Sequence, residues 1–287
     1  MAWGPCTVYL NKNQDPKMNE PSRNFAVGNQ NRAAWNQLAR HGQRFTRAAT
    51  DEEFRDPLAV LDASGWLSPG IQGRRTLCLA AGGGRQAPLY AAAGADVTVV
   101  DISPAQLELD RVVAQERNLV IRTVETSMHD LSMFQTGEFE IIIHPVSTCY
   151  LPELSTVYQQ IARVTRAGGV YISQHKQPVS LQSATEAQPS GYLIEQPYYE
   201  RNKTPLPPVQ GSLHREEGTL EFVHRWEELL GSMCRAGFVI EDLVEPRHAD
   251  ESAAPGTFAH RSTFVPPYVR VKARRRTADK VASLVLR

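Results

Sequence analysis

The stretch Thr76–Asp101, T-L-C-L-A-A-G-G-G-R-Q-A-P-L-Y-A-A-A-G-A-D-V-T-V-V-D, constrains the fold more than any other part of the chain. An apolar run enters Gly82-Gly83-Gly84, Ala-rich helical sequence follows, and a second apolar run closes on Asp101. This order predicts a buried strand, a sharp turn, a helix and a second strand parallel to the first, with backbone at the turn open to a ligand. Asp101 stands about 20 residues past the glycines, at the strand end where an acid accepts hydrogen bonds from ribose hydroxyls. An adenosine-type cofactor is expected. Because Gly82, Gly84 and Ala87 also satisfy G-x-G-x-x-A, a nicotinamide or flavin dinucleotide stays open on this motif alone.

The same alternation continues downstream. Ser103-Pro104 predicts an N-cap and first helical residue, with Leu107, Val112 and Val113 on the buried stripe. Strands are expected over 119–126, 139–144 and 170–174, with a helix over 152–166 broken by Ala167-Gly168-Gly169. A sixth strand begins at Gly237 and a seventh covers 264–272. The pattern specifies an α/β fold built on a doubly wound, mostly parallel sheet. Two helical segments precede the first strand, 31–47 with Trp35 on its buried side and 51–63 with Asp51 as N-cap and a kink at Pro57. Both are placed to cover the ligand. Residues 177–219 carry six prolines together with Tyr192, Tyr198 and Tyr199 and show no helical period. An irregular insertion of this length suits a lid or binding loop. The expected organisation is a flexible extension over 1–30, one domain over 31–272 and a basic, solvated tail over 273–287.

Lys plus Arg equals Asp plus Glu, 31 of each. No net field draws a polyanion, so a nucleic-acid partner is not expected. Cys6, Cys78, Cys149 and Cys234 are scattered without ligand spacing, which fits a reducing compartment and no metal. The N-terminal M-A-W-G-P-C-T lacks signal-peptide features. No run approaches the ~20 apolar residues of a membrane span. A cytoplasmic location without a membrane partner is expected.

Six segments stand in fixed order between about Trp35 and Ala273: L-C-L-A-A-G-G-G-R-Q-A-P, V-T-V-V-D-I-S-P-A-Q-L, S-M-H-D-L, F-E-I-I-I-H-P-V-S, R-V-T-R-A-G-G-V and A-G-F-V-I-E-D-L. In these the chain resembles class I S-adenosylmethionine-dependent methyltransferases, in particular the small-molecule branch with an A-x-G-G-G-x-Q-type first loop. The resemblance implies a Rossmann-like seven-stranded sheet with an antiparallel last strand, S-adenosyl-L-methionine as cofactor, and methyl transfer to a small-molecule acceptor. It implies Ala80, Gly82 and Gly84 beside the methionine part of the cofactor, Asp101 on both ribose hydroxyls, and Ile102 against adenine. Ser127, Met128, His129 and Asp130 would line the adenine edge, and His144 to Val146 would face the reacting centre. The family's usual acid at the position of Ser127 is displaced here to Asp130, so either residue is a candidate acceptor from the adenine amino group. An NAD(P)-dependent oxidoreductase is one alternative. Another is a non-catalytic S-adenosylmethionine-binding protein whose insertion closes against the sheet without leaving a cavity.

Methyl transfer from a sulfonium is an in-line displacement that leaves a neutral thioether. It asks for orientation and a dry site, and for a base only when the nucleophile must lose a proton. The catalytic candidates are His144, at a strand end, Tyr150, just beyond it, and His224. Each also fits a plain structural role, as a satisfied polar residue or a core aromatic. Tyr150, Tyr198 and Tyr199 are candidate walls of the acceptor pocket. Of the acid-or-amide, Pro, Pro, aromatic pattern of some amino-group methyltransferases only Pro145 is present, so a nitrogen acceptor is not inferred.

Overall fold

The computed structural model describes residues 20–200, 203–208 and 214–277. Strands β1 (Arg75–Leu79), β2 (Asp96–Asp101), β3 (Ile121–Glu125), β4 (Phe139–His144), β5 (Thr165–Lys176), β6 (Phe238–Val244) and β7 (Tyr268–Arg275) form one sheet in the order β3-β2-β1-β4-β5-β7-β6. The first five pair in parallel, and β7 lies antiparallel between β5 and β6. The helices are α1 (Glu20–Arg40), α2 (Pro57–Leu61), α3 (Gln86–Ala92), α4 (Pro104–Glu116), α5 (Ser155–Val164), α6 (Pro178–Gln182), α7 (Ser232–Arg235) and α8 (Phe258–Phe264).

Strand residues alternate between two cores, as the pleat requires. Leu77, Leu79, Ile142, Tyr171 and Val271 pack with Val157, Ile161 and Met233 of α5 and α7. Cys78, Val97, Val99, Ile141, Ile143 and Ile172 pack with Leu61, Leu89 and Leu107 of α2, α3 and α4. At about 1.5–3 kcal/mol for each fully buried large aliphatic side chain, these two layers hold the sheet. Its carboxyl edge, where β1 to β5 end, is left to α1, the insertion and the β6–β7 connection.

The structure corrects several boundaries. The expected flexible extension is helical from Glu20, because Val27, Asn31 and Ala34 are buried at helical spacing and the Asn- and Gln-rich remainder faces out. Pro57 starts α2 instead of kinking it, and Asp56 caps it by accepting from Ala59 N. Asp51, the expected cap, forms an exposed ion pair with Arg117. Val112 is 42% exposed, and the buried stripe of α4 is Leu107, Asp110, Val113 and Ala114. Ala167-Gly168-Gly169 lies inside β5, where the register against β4 shifts between Phe139 and Ile141. A π-helical turn, Glu227–Gly231, leads into α7. β7 starts after Pro266-Pro267, which lack the N–H a central strand needs. It then runs through Arg275. Arg274 pairs with Glu241, and Arg275 donates to the carbonyls of Ala162, Ala236 and Gly237, so neither belongs to a solvated tail. Residues 1–19 and 278–287, with Cys6, lie outside the described residues. Among the described residues no helix is long and apolar enough to cross a membrane.

Candidate active site

The glycine turn is held from beneath by two acidic side chains. Asp101 Oδ2 accepts from Gly82 N at 3.0 Å and its Oδ1 from Ser103 N at 2.9 Å. Asp110, on the buried stripe of α4, accepts from Gly83 N at 3.2 Å and Gly84 N at 3.0 Å. Gly83 and Gly84 have φ of +120° and +74°, the region glycine occupies without strain. Ala80, at φ +49°, enters that region with a Cβ, a local strain of about 1–3 kcal/mol at the site. Burial pushes the Asp101 carboxyl up to about 6 against the pull of Ser103 and Gly82 N–H. Burial, reinforced by Asp101, pushes Asp110 to about 8.

Above the turn a cavity of about 770 Å³ runs along the carboxyl edge of the sheet. It is lined at one end by Ala80, Gly82, Gly83, Asp101, Ile102, Ser127 and Met128, and at the other by Ile143, Ile172, Gln174, Tyr150 and Arg270. Helix α1 closes one side. Asn31 donates to the carbonyls of Tyr150 (2.9 Å) and Leu220 (3.2 Å) and accepts from Leu220 N (2.7 Å), and Trp35 meets Tyr150 edge to face at 5.6 Å. Phe258, His248 and Tyr268 of the β6–β7 connection and β7 close the far end. The insertion contributes Glu216 and is fastened by Arg261, 2% exposed, which donates to the carbonyls of Ser180, Ser183 and Ala184.

Most expected cofactor residues meet in this space, with differences. Gly83 lines the cavity where Gly84 was expected. Gly84 turns under α4, and a Cβ there would lie 3.1 Å from Leu109 O, so its role is packing. His129 and Asp130 line an adjoining cavity of about 640 Å³, which shares Gly28, Ile102, Thr126, Ser127 and Leu151 with the first. Ser127 Oγ contacts His129 Nδ1 at 2.8 Å, while Asp130 is exposed and accepts from Ser132 N. Tyr198 and Tyr199 do not wall the main cavity. The Tyr198 hydroxyl accepts from Trp226 N at 3.2 Å beside a separate groove, and Tyr199 is 77% exposed.

His144, His175 and His224 are each held by hydrogen bonds to their neighbours. His144 touches the cavity, yet Tyr171 Oη (2.8 Å) and Ser147 Oγ (2.6 Å) occupy both ring nitrogens, and burial drops its pKa to about 3. His224 is buried against Leu151 O at 2.8 Å, away from the cavity, and burial takes it to about 4. His175 is likewise bonded at both nitrogens, to Thr148 and Ser173. Tyr150 differs. It lines the cavity, and its hydroxyl donates to Glu216 Oε2 at 2.6 Å. Glu216 belongs to a buried cluster in which Lys176 Nζ reaches Glu216 at 2.8 Å and Glu221 at 2.9 Å, and Arg215 reaches Glu221 at 3.0 Å. Burial opposes charge in this cluster, but Glu216 and Glu221 outweigh it and keep Lys176 protonated. Burial likewise opposes the Glu216 carboxylate, and Lys176 and Tyr150 override it.

A family described as "Methyltransferase domain" matches residues 77–173. The chain is 38% identical over 185 residues to an uncharacterized methyltransferase of Bacillus subtilis, YbaJ, covering 63% of this chain and 72% of that protein. The chain is a class I S-adenosylmethionine-dependent methyltransferase. Solved structures agree in fold. An S-adenosylmethionine-dependent methyltransferase from Mesorhizobium loti superposes with a TM-score of 0.59 at 18% identity over 74% of this chain and 96% of its own. A 1,6-didemethyltoxoflavin-N1-methyltransferase from Burkholderia thailandensis, with S-adenosylhomocysteine bound, gives 0.54 at 18% identity over 94% and 99%.

The chemistry of the methyltransferase's glycine turn fits this cofactor and not a dinucleotide. A pyrophosphate needs the backbone N–H groups of the turn. Here carboxyl oxygens of Asp101 and Asp110 already take all three. A cofactor carrying a sulfonium and an ammonium meets the Asp101 carboxyl at the cavity wall instead. Gln86 Oε1 and Gln106 Oε1 are buried without a hydrogen-bond partner among the described residues, and both residues line the cavity, as acceptors suited to a cationic ligand. The open cavity is not what a non-catalytic protein with a closed insertion predicts.

Sequence reading missed several residues of the methyltransferase site. Asp110 was legible in principle, as an acid three residues after Leu107 on an apolar stripe. Lys176 had a weaker signal as a charge ending an apolar strand. Glu216 had none, since nothing local in the insertion aims it at the sheet.

Proposed function

We propose that this methyltransferase transfers the methyl group of S-adenosylmethionine to a small-molecule acceptor seated between the glycine turn and Tyr268. The observation that supports this reading is the cavity of about 770 Å³, which joins Asp101 to Tyr150 and Glu216 under α1 and the insertion. Its volume lies within the usual range of ligand pockets. Asp101 receives the ribose hydroxyls, its two oxygens already oriented by Gly82 and Ser103. Ile102 packs on adenine, with Ser127, on the main cavity, as acceptor from its amino group. Gln86 takes the ammonium. When bound, the cofactor supplies an electrophilic methyl group with a neutral leaving group.

The protein's part is to align the acceptor and exclude water, worth about 7–11 kcal/mol where alignment is good. Of the sequence candidates His144, Tyr150 and His224, Tyr150, together with Glu216, is placed to hold or take an acceptor proton. Cofactor labelled at the methyl group, incubated with enzyme and a fractionated cell extract, tests the reading. Label is expected in the small-metabolite fraction and absent with Asp101→Ala. Label confined to protein or nucleic acid overturns it.

A further inference from the structure

Arg270 stands apart from the other cations of its strand β7. On β7 its neighbours in sequence and space are all paired. Lys272 and Arg274 meet Glu241, and Arg275 meets three carbonyls. At the cavity, Arg85 is neutralised by Glu53 at 2.6 Å and Lys176 by its two glutamates. The Arg270 side chain makes no ion pair or hydrogen bond among the described residues, although the residue is half-buried and lines the cavity. Its side chain is nevertheless held. The guanidinium lies 5.3 Å from the centre of the Trp66 ring, and Trp66, 4% exposed, is locked by Nε1–H donating to Asp242 at 2.8 Å.

The surroundings define what the free guanidinium serves. Arg270 pairs with Gln174 across β5, on the sheet face that carries Ile143 and Ile172. Val60, Leu61 and Phe258 add apolar wall to the same cavity, beside the polar Gln174 and His248. The acidic groups of the cavity are committed elsewhere, Asp101 to the glycine turn and Glu216 to Lys176 and Tyr150. A partly desolvated cation in apolar walls is unfavourable until an anion meets it. A planar guanidinium offers paired N–H donors matched to carboxylate or phosphate oxygens. Arg47, exposed and unpaired among the described residues, adds positive charge to the same cavity.

We propose that the acceptor carries an anionic oxygen group, of carboxylate or phosphate type, bound by Arg270, with an apolar ring or short chain resting on Ile143 and Ile172. This rests on the reading of the cavity as a small-molecule acceptor site. The test is calorimetric titration of the full chain, saturated with S-adenosylhomocysteine, against 4-hydroxybenzoate, phenyl phosphate and their neutral counterparts 4-hydroxybenzamide and phenol. At least one anion should bind tenfold or more tightly than its neutral counterpart, and which one does so separates carboxylate from phosphate. Arg270→Gln should erase that preference, Arg270→Lys should restore part of it, and neither should move S-adenosylhomocysteine affinity more than about twofold. No preference for anions in the native protein overturns the inference without needing any variant. So does a preference that survives Arg270→Gln. Failure of the native protein to bind S-adenosylhomocysteine would instead count against the cofactor site itself.

Discussion

Lys176→Met removes a cation that two buried carboxyls share. Lys176 is 3% exposed in its side chain, Glu221 0% and Glu216 8%, and Arg215 is left as the remaining positive partner. Removing one member of a buried ion pair costs about 3–5 kcal/mol, because the remaining charge is stranded. At roughly 2–4 °C per kcal/mol for a chain of this size, the melting temperature should fall by roughly 6–20 °C at pH 7.5. The pH dependence has a definite sign. Without Lys176 both carboxyls have folded-state pKa values raised above their unfolded ones, so acid protonates the folded variant preferentially. Its deficit against the native protein should therefore shrink from pH 7.5 toward pH 5. Glu221→Gln in the same background should recover part of the loss. Urea denaturation at several pH values measures this directly. A deficit under about 1 kcal/mol, or one independent of pH, would refute the view that Lys176 holds Glu216 ionised at the cavity wall.

Three further outcomes follow from the site. Gly83→Ala places a Cβ 2.8 Å from Gln106 Oε1 at φ +120°, and should cost about 1–3 kcal/mol and suppress the thermal shift given by S-adenosylhomocysteine. The control Gly256→Ala, at φ +84° with nothing within 4 Å, should leave that shift intact. The ionised Asp101 carboxyl is the form that accepts from a ribose diol and attracts a cation, and its unliganded pKa is about 6. Cofactor affinity should therefore fall as pH drops through 6, by up to about tenfold per unit, with protons released on binding near that pH; equal affinity at pH 5 and 7.5 contradicts this. His144, with a pKa near 3, should show no imidazole titration by NMR between pH 5 and 8, and a midpoint in that range would return it to the list of proton carriers.

The sheet and the cofactor end were legible because they depend on local pattern. The apolar runs ending at Leu79, Asp101 and His144, the glycine turn, and Ser103 as N-cap, accepting from Gln106 N, all lie where the residues themselves place them. The acceptor end was not legible, because it is assembled from distant segments. Arg270 and Tyr268 reach the cavity through antiparallel pairing with β5, almost a hundred residues earlier. Glu216 is aimed by Lys176 and Tyr150, and Tyr198 is drawn away by the backbone of Trp226. The two roles open to His144 could not be separated for a related reason: its hydroxyl partner Tyr171 lies on the next strand, where sequence gives no sign of it.

In the proposed function Asp101, beside Gly82, holds the sugar of S-adenosylmethionine. Titrating S-adenosylhomocysteine into the native protein and into Asp101→Ala by calorimetry tests it most directly. With two hydrogen bonds to a charged group at stake, each worth about 1.5–3 kcal/mol, the native protein should bind one equivalent and the variant should bind at least ~100-fold more weakly. Equal affinity in the two proteins, or heat from NADH and none from S-adenosylhomocysteine, would contradict it.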